Sequence, residues 1–438
     1  MIFPWYLFGL LFLLPFIDPR RPFRLLHLDL LVLVAAGLGP LTLNVTDDQP
    51  AGSVVLTLVS LGYLLARLLH GGFRPRGGSG RLVPLLPATW LLVALVLLVG
   101  FRVGYALMDR QPVTDVGVAG LLGADRIAEG RELYDTTLDS ASPFAHPDSY
   151  GPALYLLYVP VEQAFPIDEP VDESVFEDAV GARVAAITFD LLMLLALFAL
   201  GRQWRAGAQG RLLGLGLAWA WASFPYSMFQ LRYGFNDTLV ALLVVAALLA
   251  LRLPAGRGAL TALAASTKFA PAVLAPLMAT GTGERRSRSA LLFTGAFAAV
   301  SLALLVPLLP DGGISEFWDR TLGYQQGRPA WSSFWARFPG LDWLRPLAQA
   351  CVVALALLLA FVPRRRSPEQ MALLGAGVMV ALELSMTHWF STYLLWFAPL
   401  AFAGLFAHHD CREWSRAGAR DLPFEDRHRV ERIHVRSP

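Results

Sequence analysis

The sequence predicts an all-α, polytopic integral membrane protein, and three observations carry that prediction. The 438 residues are 55% hydrophobic and only 16% charged, with a mean hydropathy of +0.51, whereas a soluble domain carries about 25% charged residues. Apolar runs close to the ~20 residues that a spanning helix needs recur along the whole chain. Arginines gather between alternate runs, as basic residues do in cytoplasmic loops.

The apolar runs fall near 2–17, 28–45, 53–69, 82–104, 179–200, 211–230, 238–253, 289–309, 344–362, 370–387 and 391–407. Basic loops are marked by Arg20, Arg21 and Arg24, by Arg67, Arg74, Arg76 and Arg81, and by Arg202, Arg205 and Arg211. Arg285, Arg286 and Arg288 follow, then Arg364 to Arg366, then an Arg-rich tail after His408. The alternation predicts about eleven full crossings, with the N-terminus outside and the tail inside. Residues 1–17 lack a basic leader and a small-residue cleavage site, so they read as a retained helix. Cys351 lies in an apolar run and Cys411 in the basic tail, which predicts no disulfide framework. No internal repeat is visible. The chain divides into a three-helix extension (1–81), a central module (82–310), a second outside loop with the last helices (311–407) and a cytoplasmic tail (408–438).

Two segments do not fit as simple crossings. Residues 151–166 are apolar but are followed by a very acidic stretch, so both ends belong outside. They predict an interfacial or re-entrant helix bounded by Pro152 and Pro166 and anchored by Tyr155 and Tyr158. Residues 257–281 have basic loops at both ends, with Lys268 and Pro271 at the centre. They predict a broken helical hairpin turning at 266–271. Irregular backbone at membrane depth is tolerated only beside protein or a water-filled cavity, so the turn is expected to face a cavity.

Between two spanning segments, residues 109–178 form a polar block with fifteen Asp and Glu against three arginines. Asp115 opens a run over 116–129 that ends at Gly130. It is either the N-cap of that run or a catalytic base at the membrane surface, and the two roles can coexist. Lys268 is the only lysine in the chain. Such a charge costs ~2.5–3.5 kcal/mol at a membrane centre and usually lines a functional cavity; the alternative is a side chain snorkelling to the interface. Arg328, in the second outside loop, is a solvated loop residue or a phosphate clamp, since its guanidinium fork matches phosphate oxygens. Asp237 reads as a helix cap, and Arg232 occupies the same outside turn. Arg183 and Asp190, seven residues apart, suit an ion pair between helices. His388 sits at an outside helix end, while His146 and Asp148 precede Tyr150 and could touch substrate. No His, Cys or carboxylate spacing matches a defined metal site, so no cofactor is called for, with a divalent cation left open. Asn44-Val45-Thr46 matches a glycosylation sequon.

Taken in order, Asp115, Gly130-Arg131-Glu132-Leu133-Tyr134, Tyr150-Gly151-Pro152, Gly234-Phe235-Asn236-Asp237, Lys268-Phe269-Ala270-Pro271 and His388 resemble the GT-C superfamily of polytopic glycosyltransferases. The likeness is to glycosyltransferase family 87, the bacterial polyprenyl-phosphomannose-dependent enzymes, and spans roughly 82–407. Tyr150-Gly151-Pro152 departs from the more usual Tyr-Pro-Pro. The resemblance implies transfer of a mannose-like hexose from a polyprenyl-phosphate sugar to a lipid or glycan hydroxyl, on the extracytoplasmic face of the plasma membrane. It makes Asp115 the base, with Lys268 or Arg328 as ligand of the donor phosphate. Tyr150, His388, Asp237 and Arg232 are the further substrate-binding candidates; no nucleic acid is expected as a partner. A lipid phosphate is already a good leaving group, so one carboxylate to take the acceptor proton and positive charge for the departing phosphate suffice. Direct displacement implies inversion. The competing expectations are a transporter or flippase, for which broken helices and a buried lysine are also typical, and an inactive structural partner.

Overall fold

The computed structural model describes residues 3–38, 51–75, 77–109, 111–140, 142–144, 146–167, 169–283, 286–328 and 332–411. The sequon at 44–46, the Asp47-Asp48 loop and the tail from 412 lie outside these residues. Among the described residues the elements are helical, with one isolated bridge pairing Arg81 with Asp410.

The helices follow the apolar runs. They are α1 (Phe3–Leu13), α2 (Leu25–Ala35), α3 (Ala51–Phe73) and α4 (Ala88–Met108). The polar block contributes α5 (Asp115–Ala128) and α6 (Pro152–Glu162). Then come α7 (Val180–Trp204), α8 (Gly207–Ser223), α9 (Pro225–Tyr233), α10 (Asp237–Leu249), α11 (Pro254–Thr267), α12 (Ala275–Thr280) and α13 (Arg286–Leu305). The chain closes with α14 (Arg345–Phe361), α15 (Pro368–Ser385) and α16 (Leu394–Phe406). Among the described residues, five spans are long and apolar enough to cross a bilayer: Val54–Phe73, Ala88–Met108, Val180–Trp204, Arg286–Leu308 and Pro339–Phe361. Several other apolar helices are shorter, including those over Asp237–Leu249 and Ser391–Phe406. The protein is a multi-pass, all-α membrane protein.

The run at 211–230 is two helices and not one. Pro225 opens α9, where its missing N–H costs nothing, and α9 ends at Gly234, whose φ of +66° makes the turn into α10 possible. Asp190 does join two helices, but its partner is Arg102 of α4, at 2.7 Å, and not Arg183. The indole of Trp221 also donates to Asp190, at 2.8 Å. Arg183 instead donates to backbone carbonyls, including that of Arg232 at 3.1 Å.

Segment 257–281 is the expected broken hairpin. Pro271 has no N–H and its ring excludes the carbonyl four residues earlier, which frees the Thr267 carbonyl. Lys268 follows with extended backbone, φ −134° and ψ 137°. The freed carbonyl accepts from the Gly151 N–H at 3.3 Å, so the tip of the hairpin docks on the start of α6. At its base, Arg257 of α11 donates to the Met278 carbonyl of α12 at 2.5 Å. The two halves therefore return to the same end of the bundle.

Helix α6 starts at Pro152 as expected, but Tyr155 and Tyr158 are not interfacial anchors. Both are fully buried. A Cβ at Gly123 would strike the Tyr155 ring and one at Gly120 the Tyr158 ring, so these tyrosines fill a groove that glycines open along α5. The Tyr155 hydroxyl donates to the Pro147 carbonyl at 2.8 Å.

The hairpin geometry sets a labelling pattern. In a background with Cys351 and Cys411 replaced by Ser, cysteines at Ala255 and Thr282 will react with an impermeant thiol reagent from one face, and a cysteine at Glu173 from the other. Labelling of 255 and 282 from opposite faces would make the segment a full crossing.

Candidate active site

A single buried ion pair forms the floor of the site. Lys268 at the hairpin tip is 8% exposed, and its Nζ lies 2.6 Å from Oδ1 of Asp237 at the start of α10. The same oxygen accepts from Trp396 Nε1 at 2.8 Å. Lys268 is therefore not a lone ammonium and does not snorkel to an interface. Three aromatic rings surround its Nζ, with centroids at 5.3 Å (Tyr150), 5.8 Å (Tyr393) and 5.7 Å (Trp396). Asp237 is the first residue of α10, yet Asn236 holds the N-cap position and Asp237 is spent on Lys268.

Above the pair opens a cavity of about 360 Å³. Tyr150, Lys268, Arg328 and His388 line it together, although they come from four separate parts of the chain. Gln325, Arg345, Gln349, Tyr393 and Trp396 complete its polar and aromatic wall; these five are residues that sequence reasoning did not assign to a site. Arg328 approaches Gln325 Oε1 at 3.4 Å and the Tyr324 ring at 5.8 Å, and among the described residues it has no carboxylate partner. Arg345 is partly committed to Asp342, at 3.1 Å.

Asp115 lines a small adjoining hollow with His146, Tyr324 and three residues that also line the cavity: Ser149, Tyr150 and Arg328. Its carboxylate is exposed and accepts from the Val116 N–H at 2.9 Å. Thr114, not Asp115, holds the N-cap position of α5. The turn between α9 and α10 binds the two halves of the site together. Thr114 N donates to the Tyr233 carbonyl at 2.9 Å, and Asn236 Nδ2 donates to the Val116 carbonyl at 3.1 Å. A Cβ at Gly117 would collide with the Gly234 carbonyl. One residue beyond Asn236, Asp237 holds Lys268. Arg232, on the near side of this turn, is not in the cavity wall. It pairs with Asp109 and packs against the Tyr105 and Tyr233 rings.

The acidic block is held in place by its few arginines. Glu169 receives Arg126 at 3.0 Å and Arg131 at 2.6 Å, and Arg131 also reaches Asp125 at 2.6 Å. Tyr134 donates to the Tyr150 carbonyl at 3.0 Å, fixing that residue at the cavity wall. Burial pushes the Tyr150 phenol well above its ordinary value, so it stays a neutral donor. Gly151 is required by space: a Cβ there would enter the Ser266 backbone.

Asp139, His146 and Asp148 bring ligand atoms within 4.8 Å of one another, which their spacing did not reveal. Arg320 from the second outside loop already occupies the two carboxylates, at 2.8 Å from Asp139 and 2.5 Å from Asp148. Burial raises the Asp148 carboxyl to about 6 while Arg320 opposes the shift. Asp148 is thus a buried support of the block and not a substrate contact. His146 stacks on Tyr324, with ring centroids 4.1 Å apart.

The fold and this cavity define a multi-pass membrane protein with a cationic, aromatic-walled site reached from one end of its helices. The chain belongs to glycosyltransferase family 87: residues 149–406, well over half its length, match the model of Glycosyltransferase family 87. It is a glycosyltransferase, which sets aside the transporter reading. The match begins at Ser149, so Asp115 and the run to Tyr134 lie ahead of it, and the matched region is shorter than the resemblance drawn from residue 82. No curated protein matches the chain at a significant level. Among solved structures, it is similar to ArnT from Cupriavidus metallidurans bound to undecaprenyl phosphate, at 13% identity and a TM-score of 0.46, over 73% of this chain and 59% of that one. The chain thus spans less than two thirds of that protein.

The floor ion pair makes a stability prediction. Lys268→Met leaves Asp237 buried without its partner and is expected to cost about 3–5 kcal/mol, read as a fall in melting temperature in detergent. Replacing both residues, Lys268→Met with Asp237→Leu, is expected to recover most of that loss. A single variant that melts like wild type would mean the pair does not form.

Proposed function

We propose that the chain transfers a mannose-like hexose from a polyprenyl-phosphate sugar to a hydroxyl of a lipid or glycan acceptor, with inversion, at the extracytoplasmic face of the plasma membrane. The observation that carries this reading is the junction of the two hollows. The exposed carboxylate of Asp115 and the cavity floored by Lys268 share the walls Ser149, Tyr150 and Arg328.

The chemistry follows from that arrangement. Asp115 takes the proton of the acceptor hydroxyl as its oxygen attacks the anomeric carbon. The bond from that carbon to the phosphate oxygen breaks, and its electron pair leaves with polyprenyl phosphate. The phosphate gains a negative charge as it departs, so fixed cations in a poorly hydrated site favour the transition state over the ground state. Arg328, which among the described residues has no carboxylate partner, is the principal clamp. Lys268 is held in one position by Asp237 and Trp396, so it can add a hydrogen bond without reorganising. Tyr150, Tyr393 and Trp396 offer ring faces to the sugar, and His388 forms part of the mouth. A cavity of about 360 Å³ suits a headgroup while the polyprenyl tail stays in the bilayer.

Membranes supplied with a radiolabelled polyprenyl-phosphate sugar test this reading. Asp115→Asn is expected to lower kcat by roughly 10²–10⁴-fold with KM for the donor little changed, whereas Arg328→Ala is expected to raise KM for the donor. Transfer that survives Asp115→Asn would remove Asp115 as the base.

A further inference from the structure

A second cavity, larger than the one above Lys268, lies at the base of the broken hairpin. It measures about 850 Å³. Arg257 on its floor and Lys268 lie 11 positions apart along α11, roughly 16 Å at 1.5 Å per residue, so it is distinct from the site above. Four arginines line it: Arg252, Arg257, Arg288 and Arg366. Arg257 and Arg366 are its floor, 1% and 5% exposed, and Arg252 and Arg288 are exposed at its rim.

The charges in this cavity are not balanced. Among the described residues, none of the four guanidiniums has a carboxylate partner. Among the described residues the one carboxylate lining the cavity, Glu369, lies 3.6 Å from Arg205. Arg257 is taken up by backbone carbonyls and by Ser289 Oγ at 2.8 Å, where carbonyl dipoles at the end of α12 soften but do not cancel its charge. Arg366 spends Nε on the Pro363 carbonyl and Nη1 on Thr280 Oγ1 and the Gly281 carbonyl, at 2.9 to 3.0 Å. Its Nη2 is buried and has no partner. An uncompensated buried charge is strongly destabilising, and a buried donor left unmade costs its full desolvation. The other wall, with Leu248, Leu251 and Leu292, is apolar.

We propose that this cavity binds a phosphate-bearing anion, drawn by the guanidinium charges of Arg257 and Arg366 on the floor and enclosed by Arg252 and Arg288 at the rim. The Arg-rich loops put it on the side where anionic headgroups attract basic pockets between helices, and the apolar wall suits acyl chains. Bound there, the anion would tie the base of the hairpin whose tip carries Lys268.

The purified full-length protein can be tested with three probes: inorganic phosphate, nanodiscs of phosphatidylcholine, and nanodiscs in which phosphatidylglycerol is mixed. Binding is read by native mass spectrometry and by the shift in melting temperature. Arg252→Gln with Arg288→Gln changes only rim residues and is expected to weaken binding at least about tenfold. Arg20→Gln with Arg21→Gln, a control that removes two exposed charges from another basic loop, should leave it unchanged. Loss with phosphatidylglycerol but no response to phosphate identifies a lipid headgroup; loss with both identifies a free phosphate site. Equal binding by wild type and the rim variant, or no preference of the wild type for phosphatidylglycerol or phosphate over phosphatidylcholine, would overturn the proposal.

Discussion

The ion pair between Lys268 and Asp237 is the constraint that organises the molecule. A lone ammonium at membrane depth is expensive, and a lone carboxylate is no better, so each dictates where the other must be. Lys268 is brought there by a helix that Pro271 interrupts. Asp237 is brought there by a turn that Gly234 permits. Trp396 supplies the remaining hydrogen bond from the last helix. Three distant parts of the chain are therefore fixed to one point, and the cavity is what remains above it.

Glycines set the spacing around that point. Gly117 lets the Gly234 carbonyl approach, Gly151 lets α6 meet the hairpin tip, and Gly120 and Gly123 seat two tyrosines. These contacts bring Asp115 and Tyr150 together in the small hollow that adjoins the cavity. Arg126, Arg131 and Arg320 pair with carboxylates of the acidic block and tie its segments together.

Much of the fold was legible in the sequence because bilayer physics is one-dimensional. Hydropathy located the helices, and two basic loops flanking Lys268 demanded a hairpin. Lys268, Arg328, Tyr150 and His388, singled out in the sequence, line one cavity. What remained hidden is pairing. Nothing in the chain announces that Asp237 answers Lys268, that Arg102 and not Arg183 answers Asp190, or that Arg232 turns to Asp109. Those choices depend on which helix faces which. Tyr155 and Tyr158 read as interfacial anchors because the groove that buries them is opened by Gly123 and Gly120, 32 and 38 residues earlier. The clustering of Arg252, Arg257, Arg288 and Arg366 in one cavity was invisible too, because orientation rules explain each of them singly.

The protein thus presents two cationic cavities at opposite ends of one broken hairpin, and sugar transfer is proposed at the one whose adjoining hollow holds Asp115. A structure determined by electron cryo-microscopy with a polyprenyl-phosphate sugar tests this most directly. The account predicts phosphate density between Arg328 and Lys268, with the anomeric carbon turned toward Asp115. Phosphate density away from both, or a sugar out of reach of Asp115, would contradict it.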